Sequence, residues 1–516
     1  MIESSLIVPP PSYNELRISP WVDEQIWGHR LWDSQSSWLL FLEFLTVAES
    51  CYRQLTLLDE GGDYNLSKFT PYKRMYLRNV LFNNQELFHL AEAHEDSHSA
   101  WEEWLRVMRE KAQGVSSTDF SYLRTRFHSF SQFTSLVGMI RNANVEGSAN
   151  KRWTSRFIFP FGSNALYEDI KISGTSGAAT RDYINFGRTG ELLYLMLCRS
   201  SLTSELRPHI AKMFSGQNPW NELLALMQPG EEEDPSLRGK SYLPYKSHPT
   251  FDKLAKDWLS VFNLALPGFD GWPHLVTLGA LHILLYQLNI AREWTNSPSG
   301  LYLICEVVAP KKTLVRELSS ASYSENNLLP AQAVGIYIDQ IAQSEQWQTA
   351  VTGPGPFIKC REILQDRVRW GEEAEDYVGS NDPDAILAQL KVEALKGHKQ
   401  HVANIHRSYG REAGLVSKRG TNKFRYAPTD GLLKTLLLAN VDRRMELNEF
   451  LERLCSRYGF VFGDREAERV LDSDEFDKKV FQANSRRLEQ RLGSLGMLRR
   501  LSDGCAYVEN PYSRRS

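Results

Sequence analysis

The sequence predicts a mainly α-helical protein with minor β structure, in which a helical N-terminal scaffold is followed by tandem winged-helix-like units. Two observations predict this class. Apolar residues recur at spacings of three and four, as in "PYKRMYLRNVLFNNQELFHLAEA", which is the period of a helix buried on one face. Near the C-terminus, two segments each end a helix, pass through a turn rich in Gly, Asn or Asp, and return with an aromatic residue. This pattern is typical of a helix followed by a two-stranded wing.

Length, charge and cysteine usage limit the class of protein. The chain has 516 residues with 60 basic and 63 acidic side chains, a net charge of -3, so any electrostatic attraction to a partner must be local. The six cysteines include no C-x-x-C pair, and the N-terminus lacks the basic start and apolar run of a signal peptide. The most apolar window, "LVTLGALHILLY" (residues 275–286), predicts a buried core helix too short to span a bilayer. We therefore expect a cytoplasmic protein with free thiols, no cofactor and no membrane association.

Composition shifts along the chain predict five segments. "RFIFPFG" and "YEDIKISG" have strand character, "GELLYLMLCRS" is typical of a buried helix, and "LYLICEVV" predicts one further strand. "TGPGPF", residues 352–357, is the clearest break. The predicted segments are a helical domain over 1–115, a mixed α/β segment over 116–230, a helical domain over 250–350, a helical connector with a first winged-helix-like unit over 357–428, and a second winged-helix domain over 429–512.

The second C-terminal unit has the fuller pattern. "TDGLLKTLLLAN" predicts a first helix capped by Thr429 or Asp430, and "LNEFLERLCSRYG" predicts a second that Gly459 ends. "FDKKVFQANSRRLEQRLGSLG" predicts a third helix that ends at Gly493 and Gly496, and "MLRRLSDGCAYVEN" predicts the wing. Three helices and a hairpin in this order fit a winged helix-turn-helix.

The stretch "HEDSH", residues 94–98, matches the H-E-x-x-H pattern of zinc metalloproteases. In such enzymes both histidines lie one turn apart in a single helix, whereas the residues between and after these histidines are polar. Ser99 and Glu102 form an S-x-x-E capping box, which predicts the start of a new helix. We therefore expect the motif to straddle a helix boundary. The alternative is a metal site that uses His89, His94 and His98.

Three further stretches contain functional residue types without completing a motif. "SGTSGAAT" (residues 173–180) is glycine-rich but lacks the Lys-Ser/Thr of a phosphate-binding loop. "DPDAILAQLKVEALK" has acids and lysines in an order similar to that of restriction nucleases, but it has no E-x-K and predicts an amphipathic surface helix. "HKQHVANIHR" contains His398, His401 and His406, which we expect to form a basic surface. The sequence thus predicts no catalytic residue and no metal site.

Positive charge is concentrated in the two helix-plus-hairpin pieces. Residues 391–426 contain nine basic and two acidic side chains, and residues 478–516 contain nine basic and three acidic side chains. Between them, residues 464–477 contain seven acidic and two basic side chains. Charge of this kind on a winged helix is suited to contact with DNA phosphates.

The third predicted helix divides into an apolar and a polar face. At about 100° per residue, Phe481, Leu488 and Leu492 share one face. Arg and Gln have the hydrogen-bond geometry to read G and A edges in a major groove. The side chains predicted to face that groove are Lys479, Gln482, Arg486 and Gln490. The side chains predicted to hold phosphates are Arg499, Arg500, Lys418, Arg419, Lys423 and Arg425.

The stretch "FQANSRRLEQRLGSLGMLRRLSDGCAYVENP", with "RYGFVFGDREAERVL" before it, resembles the C-terminal region of uncharacterised bacterial proteins that are encoded beside antiviral methylation or restriction genes. The resemblance covers roughly the last 90 residues. It implies a role in bacterial antiviral defence and carries over no individual functional residue.

Together these observations predict a non-catalytic DNA-binding or target-recognition subunit of a multi-protein bacterial system. Its expected partners are double-stranded DNA and other protein subunits. The first alternative is a protein-assembly scaffold whose winged helices dock a partner ATPase or nuclease. The salt dependence of DNA binding distinguishes these two hypotheses, because phosphate contacts make affinity fall steeply as the salt concentration rises. The second alternative is a zinc-dependent hydrolase that uses "HEDSH".

Overall fold

A computed structural model confirms the predicted mainly α class with minor β structure, since most of the residues that it describes lie in helices and few lie in strands. Helices therefore supply nearly all of the regular structure. The residues that the structure describes are 21–28, 31, 36–59, 72–81, 86–112, 115, 117–142, 144–145, 153–158, 166–172, 179–182, 189–215, 222–223, 225–230, 243–264, 266–267, 270–297, 300–309, 313–368, 377, 379–418, 423–473, 476–502 and 505–513.

The first helices divide between two hydrophobic cores. The main core contains α1 (Val22–Trp27) and α2 (Ser37–Arg53). A second core is aromatic, with the ring centroids of Trp101 and Phe133 5.0 Å apart. The helices that enclose this second core are α3 (Tyr72–Leu81), α4 (Leu87–Ala93), α5 (Ser97–Lys111), α6 (Ser121–Arg126) and α7 (Phe130–Asn142).

A four-stranded antiparallel sheet follows, with its strands in sequence order. The predicted strands in "RFIFPFG" and "YEDIKISG" correspond to its two central strands, and these pair from Trp153 opposite Lys171 to Ile158 opposite Leu166. The strands are β1 (Asn144–Val145), β2 (Trp153–Ile158), β3 (Leu166–Ile172) and β4 (Ala179–Asp182).

Four helices then build the centre of the main core. They are α8 (Thr189–Cys198), α9 (Thr203–Ser215), α10 (Pro249–Phe262) and α11 (Trp272–Trp294). The predicted burial of "GELLYLMLCRS" is confirmed, because every residue of α8 is buried. The prediction for α11 was too short, since the helix has 23 residues. By length and composition α11 is long and apolar enough to cross a membrane, and 83% of its most apolar window is buried inside the protein.

The remaining elements lead to the C-terminus. The predicted break at residues 352–357 falls where α13 ends and α14 begins. The elements are β5 (Leu303–Ile304), α12 (Leu314–Gln343), α13 (Glu345–Thr352), α14 (Pro356–Val368), α15 (Pro383–Gln400), a 3-10 turn (Val402–Asn404), α16 (Ile405–Glu412), β6 (Val416–Ser417), β7 (Arg425–Tyr426), α17 (Asp430–Asn440), β8 (Met445–Glu446), α18 (Leu447–Tyr458), β9 (Phe460–Val461), α19 (Asp464–Val470), α20 (Lys478–Ser494), β10 (Leu498–Ser502) and β11 (Cys505–Val508).

The C-terminal units pack on the same core as the N-terminal scaffold. One cluster of buried residues extends from Val22 to Val508. The predicted strand in "LYLICEVV" is β5, which pairs in parallel with β9, and Cys305 forms an isolated bridge with Tyr426 of β7. The five segment boundaries stay predictions, but residues on both sides of the break at 352–357 contribute to this core.

Candidate nucleic-acid interface

The last 90 residues fold into helices and a small sheet in the predicted order. The Thr429 hydroxyl caps α17 by accepting from the Leu432 N–H at 3.3 Å. Gly459 ends α18 with a positive φ of 78°, a conformation that favours glycine. The hairpin of β10 and β11 is antiparallel, and β8 pairs with the outer side of β11, so the strand order is β10-β11-β8. Between α18 and α20 the chain inserts β9 and α19.

A buried face and a buried amide fix the position of α20. Phe481, Leu488 and Leu492 are buried, as predicted. Asn484 is also buried, which the apolar pattern did not reveal. Its Nδ2 donates to the carbonyls of Cys305 and Phe462, both at 3.0 Å, and its Oδ1 accepts from the Val307 N–H at 2.8 Å. These bonds tie α20 to the ends of β5 and β9.

The opposite face of α20 points to solvent. Lys479, Arg486 and Gln490 are exposed. Gln482 is half-buried, and its Nε2 donates to Asp464 Oδ2 of α19 at 3.1 Å. Three of the four side chains predicted to face a groove are therefore open to a ligand, and the fourth is held by the inserted helix.

The hairpin presents its two arginines on opposite faces. In the antiparallel register Arg499 lies opposite Tyr507, and Arg500 lies opposite Ala506, and neighbours along a strand point to opposite sides. Arg500 lies beside α20, with its Nε 3.5 Å from Glu489 Oε1. Both arginines are exposed, so two sides of the hairpin carry positive charge.

Arg444 is a basic residue at this hairpin that the charge pattern missed. It precedes β8, and its guanidinium lies 4.4 Å from the centroid of the Tyr507 ring. Because residues directly opposite in an antiparallel pair share a face, Arg444 extends the side of the sheet that carries Arg499. The dipeptide "RR" at 443–444 was a possible signal, but it lies outside the two basic segments.

Two of the phosphate-holding side chains predicted in the first helix-plus-hairpin piece are exposed. β6 and β7 form the predicted antiparallel hairpin. Lys418 is exposed and its Nζ lies 4.9 Å from the Phe424 ring centroid, and Lys423 is also exposed. Arg419 lies outside the described residues.

Arg425 does not hold a phosphate from the surface, which corrects the prediction. The residue is 2% exposed, and its Nε donates to Glu306 Oε2 at 2.5 Å. The reason is tertiary: the next residue, Tyr426, forms a bridge with Cys305, so β7 is drawn into the core. The base of the first hairpin is thus packed against the scaffold.

Two of the three histidines in "HKQHVANIHR" form no basic surface, which also corrects the prediction. His398 is buried, with its Nδ1 2.7 Å from Asp23 Oδ1. His406 is buried against Tyr323, with ring centroids 4.3 Å apart, and its Nε2 lies 2.9 Å from the Tyr426 hydroxyl. Desolvation lowers the pKa of His406 to about 3, so this imidazole is neutral at neutral pH.

The "HEDSH" stretch straddles a helix boundary, as predicted. α4 ends just before His94, and Asp96 caps α5 by accepting from the Ser99 N–H at 2.9 Å. The capping residue is therefore Asp96 and not Ser99. His98 lies in the first turn of α5, where its Nε2 is 3.0 Å from Glu102 Oε1. Within the described ranges, no group of three or more His, Cys, Asp or Glu side chains is placed to hold a metal ion.

No family model matches the sequence, and a search of curated proteins finds no match.

Proposed function

We propose that this protein is a non-catalytic DNA-binding or target-recognition subunit of a multi-protein bacterial system, with the C-terminal unit acting as a winged helix. The observation that carries the proposal is the exposed polar face of α20, followed directly by a hairpin with exposed arginines. The order of helices and the strand order β10-β11-β8 support a winged helix with β9 and α19 as an insertion. The resemblance of the C-terminal segment favours antiviral defence as the setting.

In this proposal α20 enters a major groove. Arg486 and Gln490 meet base edges, because their side chains have the geometry for bidentate contacts. Lys479 faces the same groove, and Arg499 holds a phosphate. Arg500 is 59% exposed and its contact with Glu489 is long at 3.5 Å. Exposed ion pairs contribute little, so a phosphate can take the place of Glu489.

Duplex binding by the full chain, measured by fluorescence anisotropy as KCl is raised, tests the proposal. We expect affinity to fall at least tenfold between about 50 mM and about 200 mM KCl, because bound counterions are released from the DNA. Arg486→Ala should weaken binding by about tenfold, and Arg499→Ala should lower the slope of log affinity against log salt by about one. Lys359→Ala is the matched control, since Lys359 is an exposed cation on α14 and should change neither quantity.

A second candidate function is docking of a partner ATPase or nuclease on the same hairpin. Leu501 is 56% exposed beside Arg500, so the hairpin offers a protein partner an apolar contact next to a charged one. If the full chain binds no duplex at about 50 mM KCl, the DNA assignment is wrong and this surface is assigned to protein docking.

A further inference from the structure

A polar cavity lies between the N-terminal scaffold and the C-terminal unit. Its volume is about 420 Å³, within the range of small-molecule sites. One wall comes from α10 and α11 through Lys253 and His282, and the other comes from α18 and α19 through Arg457 and Arg469. A ligand in this cavity would therefore contact segments some 200 residues apart in sequence.

A saturated buried carboxylate holds two of the side chains that line the cavity. Asp257 is fully buried, and its Oδ2 lies 2.7 Å from His282 Nε2 and accepts from the Tyr458 hydroxyl at 2.7 Å. Its Oδ1 accepts from Arg457 Nη2. Arg457 Nη1 also donates to Asn440 Oδ1 at 2.7 Å. Asp257 thus holds His282 and Arg457 in place and has little capacity left for a ligand.

Two lining groups have no partner among the residues that the structure describes. His282 Nδ1 is buried without a hydrogen bond. When Nε2 carries the ring proton and donates it to the Asp257 carboxylate, Nδ1 is an acceptor that lacks a donor. Lys253 is half-buried, and no acidic side chain within the described ranges pairs with it. Burial and the nearby Arg457 lower the pKa of Lys253 by more than Asp257 raises it.

The other charges at the cavity are balanced. Arg469 donates to both oxygens of Glu452, at 3.0 and 2.5 Å, and Arg457 is paired with Asp257. Lys253 is therefore the cation left without an acidic partner in the described part of the wall. A ligand that pairs with both of these groups must carry a negative group for Lys253 and a hydrogen-bond donor for His282 Nδ1.

Three hydroxyl or thiol groups of the lining are engaged or inert. The Thr250 hydroxyl lies 2.6 Å from His248 Nδ1, and the Ser456 hydroxyl donates to the Arg453 carbonyl at 3.1 Å. Burial, with Glu466 nearby, raises the pKa of Cys455 to about 11, so its thiol is not a nucleophile at neutral pH. This chemistry favours reversible binding over catalysis.

We propose that this cavity binds a small polar molecule that carries an oxyanion, either a phosphate or a carboxylate, together with a hydroxyl or N–H donor. Lys253 pairs with the oxyanion, and His282 Nδ1 accepts from the donor. Binding bridges α10 and α11 to α18 and so stabilises the packing of the C-terminal unit on the scaffold. This inference is independent of the DNA-binding proposal, because its test contains no nucleic acid.

Thermal unfolding of the full chain tests the inference, with glycerol phosphate and lactate as the probes and KCl at equal ionic strength as the reference. Each probe carries an oxyanion and a hydroxyl, and the one that raises the unfolding midpoint identifies the oxyanion. We expect that probe to bind Lys253→Met about tenfold more weakly than the wild type, because a charge-assisted hydrogen bond is lost. Lys256→Met is the matched control: Lys256 lies on the same helix and is exposed, so its removal should leave binding unchanged.

Two outcomes would overturn the inference. One is a wild-type midpoint that neither probe raises above the KCl reference. The other is an equal rise in Lys253→Met and in Lys256→Met. If Lys253→Met shows no cooperative unfolding transition, Lys253→Gln replaces it, and the wild-type comparison still decides whether the cavity binds either probe.

Discussion

Removing the charge of Glu306 should destabilise the protein strongly. Glu306 is fully buried and accepts from Arg425 Nε at 2.5 Å and from Arg316 Nε at 2.8 Å. The Arg425 side chain is 3% exposed, whereas that of Arg316 is 21% exposed. In Glu306→Gln the Arg425 guanidinium stays buried without a counter-charge. Breaking a buried pair in this way costs about 3 to 5 kcal/mol, and the more exposed Arg316 adds at most about 1 kcal/mol.

Urea denaturation followed by circular dichroism measures this loss. Glu362→Gln is the matched control, because Glu362 is exposed on α14 and should change the free energy of unfolding by less than about 0.5 kcal/mol. The double variant Glu306→Gln with Arg425→Met should regain most of the loss, since no buried charge remains uncompensated. A loss below about 1 kcal/mol for Glu306→Gln, or a double variant whose loss equals the sum of the two single losses, would refute the reasoning.

Three further predictions follow from single residues. Between pH 6.5 and 3 the unfolded chain binds a proton at His406 that the folded chain does not. The contribution of this residue to the free energy of unfolding is therefore full above about pH 6.5 and falls by about 3 kcal/mol by pH 4. In His406→Phe, a plot of urea midpoint against pH should lose this part of its slope. Gly459→Ala should lower the free energy of unfolding by at least about 2 kcal/mol, because φ is positive and the new Cβ would lie 2.0 Å from the Leu301 carbonyl oxygen. In the control Gly493→Ala the new Cβ meets no atom within 4 Å and should be tolerated. Equal unfolding midpoints for the two variants would contradict this. Asn484→Ala should cost about 3 kcal/mol or more, because it leaves three buried backbone groups without partners; a loss below about 1 kcal/mol in the same assay would show that water replaces the amide.

Local pattern predicted the C-terminal elements well, because their signals lie within one or two helical turns. The apolar face of α20, the cap at Thr429 and the stop at Gly459 all depend on neighbours in sequence. The exposure of Lys479 and Arg486 follows from the same periodicity, because a helix with one apolar face leaves the opposite face in solvent.

Burial of polar residues could not be predicted in this way. His398 pairs with no carboxylate near it in sequence, because its partner Asp23 lies 375 residues away. Arg425 was indistinguishable from Lys423 in the charge pattern, yet one is buried on Glu306 and the other is exposed. Asn is a residue type usually found at the surface, but Asn484 is buried and joins two strands from different parts of the chain.

The sequence by itself thus determined the helical class, the order of the C-terminal helices and the face of α20 that meets solvent, since these depend on spacing along one segment. Only the tertiary structure decided which charges are compensated inside the protein and which remain free for a ligand. The parallel pairing of β5 with β9 and the cavity between α10 and α18 depend on contacts between distant segments. Such contacts depend on the packing of the whole core, and the spacing of apolar residues along one segment does not predict them.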